Sequence, residues 1–252
     1  MNLDKMSEPM LYDLFNANCA EDIEMYKVIC SDTDQVLELG IGTGRLAIPL
    51  AQFGVRVVGI DNSEKMLSTL EEKIALSKVK GITYYRQDMR SLSFDSEFDL
   101  ILCPFCTFNF LLSLEDQEKA LLSIKKHMKT GGRIVFDLLT PNTFSGSFLD
   151  GSLKHFNSYL CPEQNKTIEI YTSSKLNQCN QLFSQNRIFR QYSDGLLTAE
   201  RHTTMHNRLF FWGEFQLLLE KCGYRPLDIY GSYKFSPFTQ SSQELIVIAT
   251  LL

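Results

Sequence analysis

The sequence predicts an α/β fold built on a doubly wound, mostly parallel β-sheet, and three observations predict it. Apolar runs of strand length alternate with amphipathic helical stretches between residues 35 and 138. A glycine-rich turn, Gly40 to Gly44, follows the first of these strands. Residues 151–207 instead alternate polar and apolar side chains in short runs, which is typical of an antiparallel β layer with one wet face. Strands and helices that alternate at this length favour βαβ units and a parallel sheet.

The individual elements follow from the periodicity of each segment. Residues 10–30 have the apolar spacing of a helix. Ser63 can cap a later helix, and Gly131-Gly132 can end another. The strands of the sheet are predicted at 35–39, 55–60, 82–86, 98–103 and 132–138, and the helices between them at 44–53, 63–78 and 115–129.

The chain is predicted to form one main domain with an insertion. Residues 1–150 and 208–252 make the main domain, and residues 151–207 make the inserted antiparallel β segment. Such an insert would lie beside the carboxyl ends of the parallel strands, where open α/β sheets bind ligands. The alternative is that it only extends the core. Its strands are predicted at 167–171, 182–192 and 197–205.

The turn after the first strand has the composition of a cofactor cradle. Glycine lets the backbone approach a ligand closely, and a side chain at Gly40, Gly42 or Gly44 would occupy space that a cofactor needs. The N-terminus of the following helix would offer N–H donors to a carboxylate or phosphate. Asp61 ends the second strand, 21 residues after Gly40. This offset is close to the ~20 residues at which an acid reaches ribose hydroxyls in a βαβ nucleoside site.

Three ligand classes compete for this pattern. A dinucleotide site prefers G-x-G-x-x-G, but Arg45 stands at the third glycine position, where helix and strand should pack closely. A phosphate-binding P-loop needs Gly-Lys-Ser/Thr, and no such sequence follows these glycines. The third class is a nucleoside cofactor without a pyrophosphate. A glycine turn with only a structural role remains the alternative to all three.

The residues that favour a nucleoside cofactor without a pyrophosphate also resemble the motifs of a known protein family. Glu38 followed by Gly40, Gly42 and Gly44 resembles the first motif of the class I S-adenosylmethionine-dependent methyltransferases, an acidic residue before G-x-G-x-G. The resemblance is strong over residues 35–140. It continues through Asp61-Asn62-Ser63, Gln87-Asp88-Met89-Arg90, Phe98-Asp99-Leu100-Ile101, Thr130-Gly131-Gly132-Arg133, a last helix at 210–222 and a terminal antiparallel hairpin at 225–230 and 244–251.

The resemblance implies a Rossmann-like methyltransferase sheet with an antiparallel C-terminal strand, and S-adenosyl-L-methionine as the cofactor. Gly40, Gly42 and Gly44 would cradle the methionine part. Glu38 would orient that loop or meet the ammonium group, and Asp61 would accept hydrogen bonds from both ribose hydroxyls. The other implied contacts are Asp88 and Met89 around the adenine, Asn62 stacked nearby, and the backbone of Cys103.

The N-terminal residues Leu11 to Phe15 resemble the small-molecule branch that includes amino-sugar N-methyltransferases. From this motif Tyr12 is carried over as a catalytic residue lining the acceptor pocket, and His202 is a second candidate on the inserted segment. In that branch an antiparallel layer covers the acceptor or pairs two subunits. Some relatives bind the cofactor carboxylate with an N-terminal arginine, but no arginine precedes Arg45 here.

The chemistry demands little of such a protein. A sulfonium methyl is already activated, so positioning and exclusion of water can supply much of the acceleration. A general base is optional, although an amine must lose its proton before or during attack. No metal is expected. His202 and His206 on one strand would be roughly 13 Å apart at ~3.3 Å per residue, too far for one zinc with bonds of ~2.0–2.1 Å.

Composition narrows the partners and the location. A net charge of −5 and the absence of any basic run argue against nucleic acid, and Cys103-Pro104-Phe105-Cys106 stands where DNA amino-methyltransferases carry an Asp/Asn-Pro-Pro-aromatic motif. The longest apolar stretch, residues 100–114, is too short for a membrane span. Seven cysteines without framework spacing and an N-terminus without a signal pattern predict a cytoplasmic protein.

The sequence therefore predicts a methyltransferase that moves a methyl group from S-adenosylmethionine to a nitrogen or oxygen of a small-molecule acceptor. A homodimer through residues 151–207 is an expected assembly. Two alternatives remain open: a non-catalytic S-adenosylmethionine-binding sensor or scaffold, and a nicotinamide-dependent oxidoreductase.

Overall fold

A computed structural model describes residues 2–144, 149–161 and 165–252. The chain forms two compact units, which we call the insert unit and the main unit. The insert unit comprises residues 1–18 and 144–208, and the main unit comprises residues 19–143 and 209–252. The sequence predicts residues 1–18 with the parallel sheet, whereas the structure groups them with the inserted segment.

Six α-helices and eleven strands make up the described part of the chain. The α-helices are α1 (Glu8–Phe15), α2 (Glu21–Ile29), α3 (Ala47–Gln52), α4 (Glu64–Ser77), α5 (Leu114–Lys125) and α6 (Trp212–Lys221). The strands are β1 (Gln35–Leu39), β2 (Arg56–Asp61), β3 (Ile82–Arg86), β4 (Phe98–Cys103), β5 (Met128–Leu139), β6 (Lys154–Cys161), β7 (Lys166–Asn177), β8 (Leu182–Ser193), β9 (Leu196–Arg208), β10 (Tyr224–Tyr230) and β11 (Glu244–Leu251).

The main unit holds a seven-stranded sheet in the order β10-β11-β5-β4-β1-β2-β3. Strands β1 to β5 run parallel to one another, while β11 runs antiparallel to both β5 and β10. The predicted fold class, a mostly parallel doubly wound sheet with an antiparallel C-terminal strand, is confirmed. In this order the carboxyl ends of β3, β2, β1, β4 and β5 follow one another along a single edge of the sheet.

Both faces of this sheet are covered, as a doubly wound fold requires. Apolar side chains from the strands pack on one face against α5 and α6, where the rings of Phe108, Phe136 and Phe215 meet edge to face. On the other face, α2, α3 and α4 bury a second cluster that includes Tyr26 and Leu70. The candidate site lies at the ends of strands that are held between these two helical layers.

Local sequence signals account for some of the helix and strand boundaries, and the structure differs from prediction at three places. Ser63 caps α4, because its Oγ accepts the Met66 N–H at 3.4 Å. The helix predicted over 10–30 is two helices, α1 and α2. The helix after the glycines begins at Ala47, three residues later than predicted, and has only six residues. Gly131-Gly132 lies inside β5 and does not end α5, which stops at Lys125.

The insert unit is a four-stranded antiparallel sheet in the order β6-β7-β8-β9. The predicted antiparallel layer is confirmed, and β6 is an addition to it. Asp194 and Gly195 between β8 and β9 both have positive φ, the conformation that a tight two-residue hairpin turn needs. Residues 1–18 belong to this unit because the side chains of Leu3, Leu11 and Phe15 pack on the apolar side of the sheet.

Among the residues that the structure describes, no helix has the length and apolar character to cross a membrane.

Candidate functional site

Asp61 connects the end of β2 to the glycine turn. Its Oδ2 accepts the Gly42 N–H at 2.9 Å, and its Oδ1 accepts the Ser63 N–H at 2.8 Å. Burial raises the pKa of Asp61, and backbone hydrogen bonds from Ser63, Gly42 and Asn62 oppose that rise. A carboxylate has about four lone-pair directions, so at least one acceptor direction remains after these three bonds. The turn and the acid that sequence analysis paired are brought together.

The three glycines of the turn have positive φ, but they are needed for different reasons. A Cβ on Gly42 would find no atom closer than 3.9 Å, so this position borders open space. A Cβ on Gly40 would lie 2.4 Å from Thr107 Cγ2, and one on Gly44 would lie 2.5 Å from Leu70 Cδ1. Gly40 and Gly44 therefore allow close packing within the protein, and the role of all three glycines in cradling a cofactor stays a prediction.

Glu38 lies in β1, directly before the turn, and is 2% exposed. Among the described side chains, its Oε2 is one of the few buried polar atoms without a hydrogen-bond partner. Burial raises the pKa of Glu38 to about 8, and the Arg45 guanidinium lowers it. A buried carboxylate oxygen without a donor is costly unless a ligand supplies one. Helix α3 begins at Ala47 with Leu46 as its N-cap, close after the glycine turn, and the role of its N-terminus as a donor to a ligand stays a prediction.

Asp88 follows β3 and is held by Arg90. The guanidinium contacts both carboxylate oxygens, with Nη2 at 2.6 Å from Oδ2, and the Arg90 backbone N–H reaches Oδ1 at 2.9 Å. These hydrogen bonds lower the pKa of Asp88. Arg90 also pairs with Asp116 at the start of α5. Asp88 is thus a fixed, ionised acceptor, followed by the half-buried Met89 in a short 3-10 helix and with the exposed Asn62 at the end of the neighbouring strand.

A buried ion pair lies beside the glycine turn. Arg45 donates to both carboxylate oxygens of Asp22 on α2, at 2.8 and 2.6 Å. The guanidinium carbon also lies 3.8 Å from the centre of the Phe105 ring, a cation–π contact. Phe105 and the next residue, Cys106, have positive φ, which is uncommon for residues with a side chain. Arg45 therefore avoids the helix–strand contact and turns to Asp22, which sequence analysis did not identify.

The loop after β4 is fixed from β5 by Asp137. Its Oδ2 accepts the Phe105 N–H at 3.0 Å and the Tyr233 hydroxyl at 3.1 Å, and its backbone carbonyl accepts the Cys106 N–H. Burial raises the pKa of Asp137 to about 7. Tyr26 lies in the same buried region, and its hydroxyl has no hydrogen-bond partner among the described residues. The signal for Asp137 was available, because it is an acid at the end of an apolar strand, as Asp61 is.

Tyr12 and His202 both lie in the insert unit. Tyr12 is half-buried on α1. His202 is exposed on β9, opposite Ile188, and its Nε2 lies 2.8 Å from Glu200 Oε1. The cofactor candidates all lie in the main unit. The catalytic roles of Tyr12 and His202 stay predictions.

The main-unit residues fit the nucleoside cofactor that the motifs imply. Gly42 borders open space, Glu38 offers an unused buried acceptor, and the carboxylate of Asp61 keeps at least one acceptor direction. Cys103 ends β4 and is fully buried, so its backbone contact with a ligand stays a prediction. Within the described ranges, no group of three or more His, Cys, Asp or Glu side chains is arranged to hold a metal ion.

Comparison with known sequences agrees with this geometry. Residues 36–132 match the family described as the methyltransferase domain, and this range runs from the first strand to the start of the fifth. The chain is also similar to the cypemycin N-terminal methyltransferase of a Streptomyces species. The two are 29% identical, and the match covers 96% of this chain and 98% of that protein.

Two solved structures share the fold over nearly the whole chain. The CcbJ methyltransferase of Streptomyces caelestis has a TM-score of 0.80 at 22% identity, covering 98% of this chain and 94% of that one. CalS10, an amino pentose methyltransferase of Micromonospora echinaspora, has a TM-score of 0.73 at 17% identity, covering 100% and 99%. At these identities the likeness concerns the fold, and it extends over the antiparallel insert as well as the parallel sheet.

Proposed function

We propose that this chain, an S-adenosylmethionine-dependent methyltransferase, transfers the methyl group to a nitrogen of a small-molecule amine. The observation that carries the cofactor assignment is the pair of hydrogen bonds by which Asp61 holds the Gly42 N–H and the Ser63 N–H. The preference for nitrogen over oxygen is supported by the names of two similar proteins, one an N-terminal methyltransferase and the other an amino pentose methyltransferase. The sequence alone predicts transfer to either a nitrogen or an oxygen, and the proposal narrows the acceptor atom to the nitrogen of an amine.

The bound cofactor would supply an activated methyl group, and the chain's own residues would hold and orient it. We assign the ribose hydroxyls to Asp61, the ammonium group to Glu38 and the adenine amino group to Asp88. Asp88 suits this role because its bonds with Arg90 keep it ionised, so that it accepts hydrogen bonds and does not donate them. Glu38 suits an ammonium because three N–H donors could satisfy its unused Oε2.

Assembly and location complete the proposal. We propose a homodimer through residues 151–207, since β6 and β9 are edge strands of the insert sheet and unpaired strand edges are natural pairing surfaces. We place the protein in the cytoplasm, which its cysteine usage favours, because seven cysteines show no disulfide-framework spacing.

A methyl-transfer assay that measures release of S-adenosylhomocysteine tests the function directly. The acceptors should include amino sugars, peptides with a free N-terminal amine, simple amines and phenols. We expect turnover with at least one amine and less with the phenols. Tight cofactor binding without turnover on any acceptor would instead favour the sensor or scaffold alternative.

Ligand-induced stabilisation should identify the cofactor. We expect S-adenosylmethionine and S-adenosylhomocysteine to bind with micromolar affinity and to raise the melting temperature, because a ligand that binds only the folded state stabilises it by mass action. At a ligand concentration of 100 times the dissociation constant, this contributes about 2.7 kcal/mol. NAD should leave the melting temperature unchanged. Calorimetry that finds tight NAD binding and no heat with S-adenosylmethionine would favour an oxidoreductase.

Substitutions in the insert unit should separate acceptor chemistry from cofactor binding. We expect Tyr12→Phe and His202→Ala to keep the cofactor dissociation constant within about threefold, or ~0.7 kcal/mol. Turnover should fall by about 100-fold, as when a positioning group or general base is lost. His206→Ala is a matched control, because His206 lies on the same exposed face of β9. Wild-type turnover in both variants would remove the assigned roles.

A further inference from the structure

Asp137 is a buried carboxylate on the side of the glycine turn opposite Asp61. In the sheet order β5-β4-β1-β2, Asp61 ends β2, one strand from the turn, and Asp137 lies near the end of β5, two strands away on the other side. The register aligns Glu38 with Leu102 of β4, and Leu102 with Val135 of β5. Asp137 therefore lies two strands across from Glu38, roughly 9.6 Å, and two residues further along, roughly 6.6 Å.

Among the described residues, Asp137 has no cationic hydrogen-bond partner, although the nearby Arg45 guanidinium lowers its pKa. The one buried guanidinium of this region, Arg45, is committed to Asp22 by two hydrogen bonds. The partners of Asp137 are neutral donors, the Phe105 N–H and the Tyr233 hydroxyl. Once Asp22 and Arg45 cancel, the acidic groups left between β1 and β5 are Glu38 and Asp137, whose pKa values burial raises to about 8 and about 7, so that at pH 8 Asp137 is the more fully ionised of the two. Such a region favours a ligand that brings positive charge.

The proposed cofactor brings positive charge at two places. Its ammonium group is present before and after methyl transfer, whereas its sulfonium becomes a neutral sulfide once the methyl group leaves. The ribose and adenine are assigned to Asp61 and Asp88 on the β2 and β3 side, so the sulfur-bearing chain extends toward β1 and β4. Asp137 is the buried carboxylate on that far side, and the loop it holds directly follows Cys103.

Resting on the proposed function, we propose that the charge of Asp137 makes this site prefer the sulfonium cofactor to its neutral sulfide product. Asp137 is then a specificity-determining residue that acts through its charge across the loop 104–106. This preference would speed the replacement of the bound sulfide product by the sulfonium cofactor after each turnover. Glu38, which is assigned to the ammonium group common to both ligands, should not contribute to this discrimination.

Two isosteric variants test the proposal by equilibrium binding. Asp137→Asn removes the charge and keeps an oxygen for the Phe105 and Tyr233 donors, and Glu38→Gln is the matched control. Calorimetry at pH 8 should use S-adenosylmethionine, S-adenosylhomocysteine and sinefungin, which carries an amine-bearing carbon in place of the sulfonium. For Asp137→Asn we expect affinity for the two cationic ligands to fall about tenfold, the scale of one charge at roughly 10 Å and an effective dielectric near 20. Affinity for S-adenosylhomocysteine should stay within about twofold.

The controls distinguish charge from structure. Glu38→Gln should weaken all three ligands by similar factors. Tyr233→Phe removes a hydrogen bond that lowers the pKa of Asp137, so this variant should keep the preference when it is measured at pH 9, where Asp137 is still ionised. Equal losses for cationic and neutral ligands in Asp137→Asn would show a purely structural role and overturn the proposal, as would an unchanged preference. If the wild type binds none of the three ligands, the proposed function itself fails.

The preference should also depend on pH. Burial, with Asp22 nearby, raises the pKa of Asp137 to about 7, while the Tyr233 hydroxyl, the Phe105 N–H and Arg45 oppose that rise. Tyr26, Cys103 and Cys106 are further titratable groups close to it. Protonation removes the charge, so the wild-type preference should decline as the pH falls through about 7. In Asp137→Asn the preference should not vary over that range, and a decline identical to that of the wild type would contradict the proposal.

Discussion

Replacing Asp61 by alanine should weaken the binding of S-adenosylmethionine by between about tenfold and 100-fold. Each hydrogen bond to a charged group contributes on the order of 1.5–3 kcal/mol, and the ribose offers two hydroxyls, with water recovering part of the loss. The structure adds a second cost, because the same carboxylate holds the Gly42 and Ser63 N–H groups. We therefore expect a value near the upper end, measured by calorimetry on variants whose circular dichroism spectrum is unchanged.

A matched control separates this local effect from a loss of charge alone. Asp99 is exposed near the beginning of β4 and pairs with Lys129 at 2.7 Å. Asp99→Ala should leave cofactor affinity within about twofold, because that exposed pair contributes little. Asp61→Asn should resemble Asp61→Ala, since its amide nitrogen would face a backbone N–H. Unchanged affinity in a folded Asp61→Ala would show that another group binds the ribose.

Arg45→Met should lower the free energy of unfolding by about 3 kcal/mol, because it leaves Asp22 buried without its partner. Asp22 is 2% exposed, and the pair is bidentate. The variant also loses the cation–π contact with Phe105. Urea denaturation at pH 7.5 measures the loss.

The double variant gives the sharper result. In Asp22→Leu/Arg45→Met an apolar pair replaces the buried ions, and such replacements are often neutral or stabilising. We expect it to recover most of the stability that Arg45→Met loses. Arg86→Met is the control, because the pair of Arg86 with Glu64 is exposed and should contribute no more than about 0.5 kcal/mol. Equal stability of the wild type and Arg45→Met would refute the argument from burial.

The parallel sheet was predictable because its central strands β1 and β4 are nearly continuous apolar runs between turn residues. Both faces of these strands are buried, so the hydrophobic signal is strong and local, whereas edge strand β3 has no fully buried residue. The pairing of Asp61 with the turn was predictable for a related reason, since adjacent parallel strands bring their carboxyl ends to one edge. The boundary of α3 was not, because Leu46 and Ala47 suit a helix as well as the irregular turn that precedes it.

The features that sequence reasoning missed depend on contacts between distant segments. Asp22 and Arg45 lie 23 residues apart on different elements, and no local pattern pairs them. Strand β6 alternates polar and aromatic residues and has no buried apolar run, so its periodicity did not predict a strand. Its antiparallel pairing with β7 in the structure identifies it as one. Residues 1–18 were assigned to the wrong unit because an amphipathic helix shows which face is apolar and does not show which surface covers it.

The hydrogen bonds of Asp61 also affect how much conformational entropy is lost when a ligand binds. Its carboxylate already accepts hydrogen bonds from the backbone of Gly42, Asn62 and Ser63, so its rotamer is set when the chain folds and not when a ligand binds. Association then avoids the ordering cost of about 0.5–1.5 kcal/mol that a freely rotating polar side chain would incur. The turn should accordingly keep its backbone conformation between free and bound states, to within about 1 Å. Ligand selection at this edge of the sheet would then depend on fit to a rigid surface, with adaptation left to other parts of the chain.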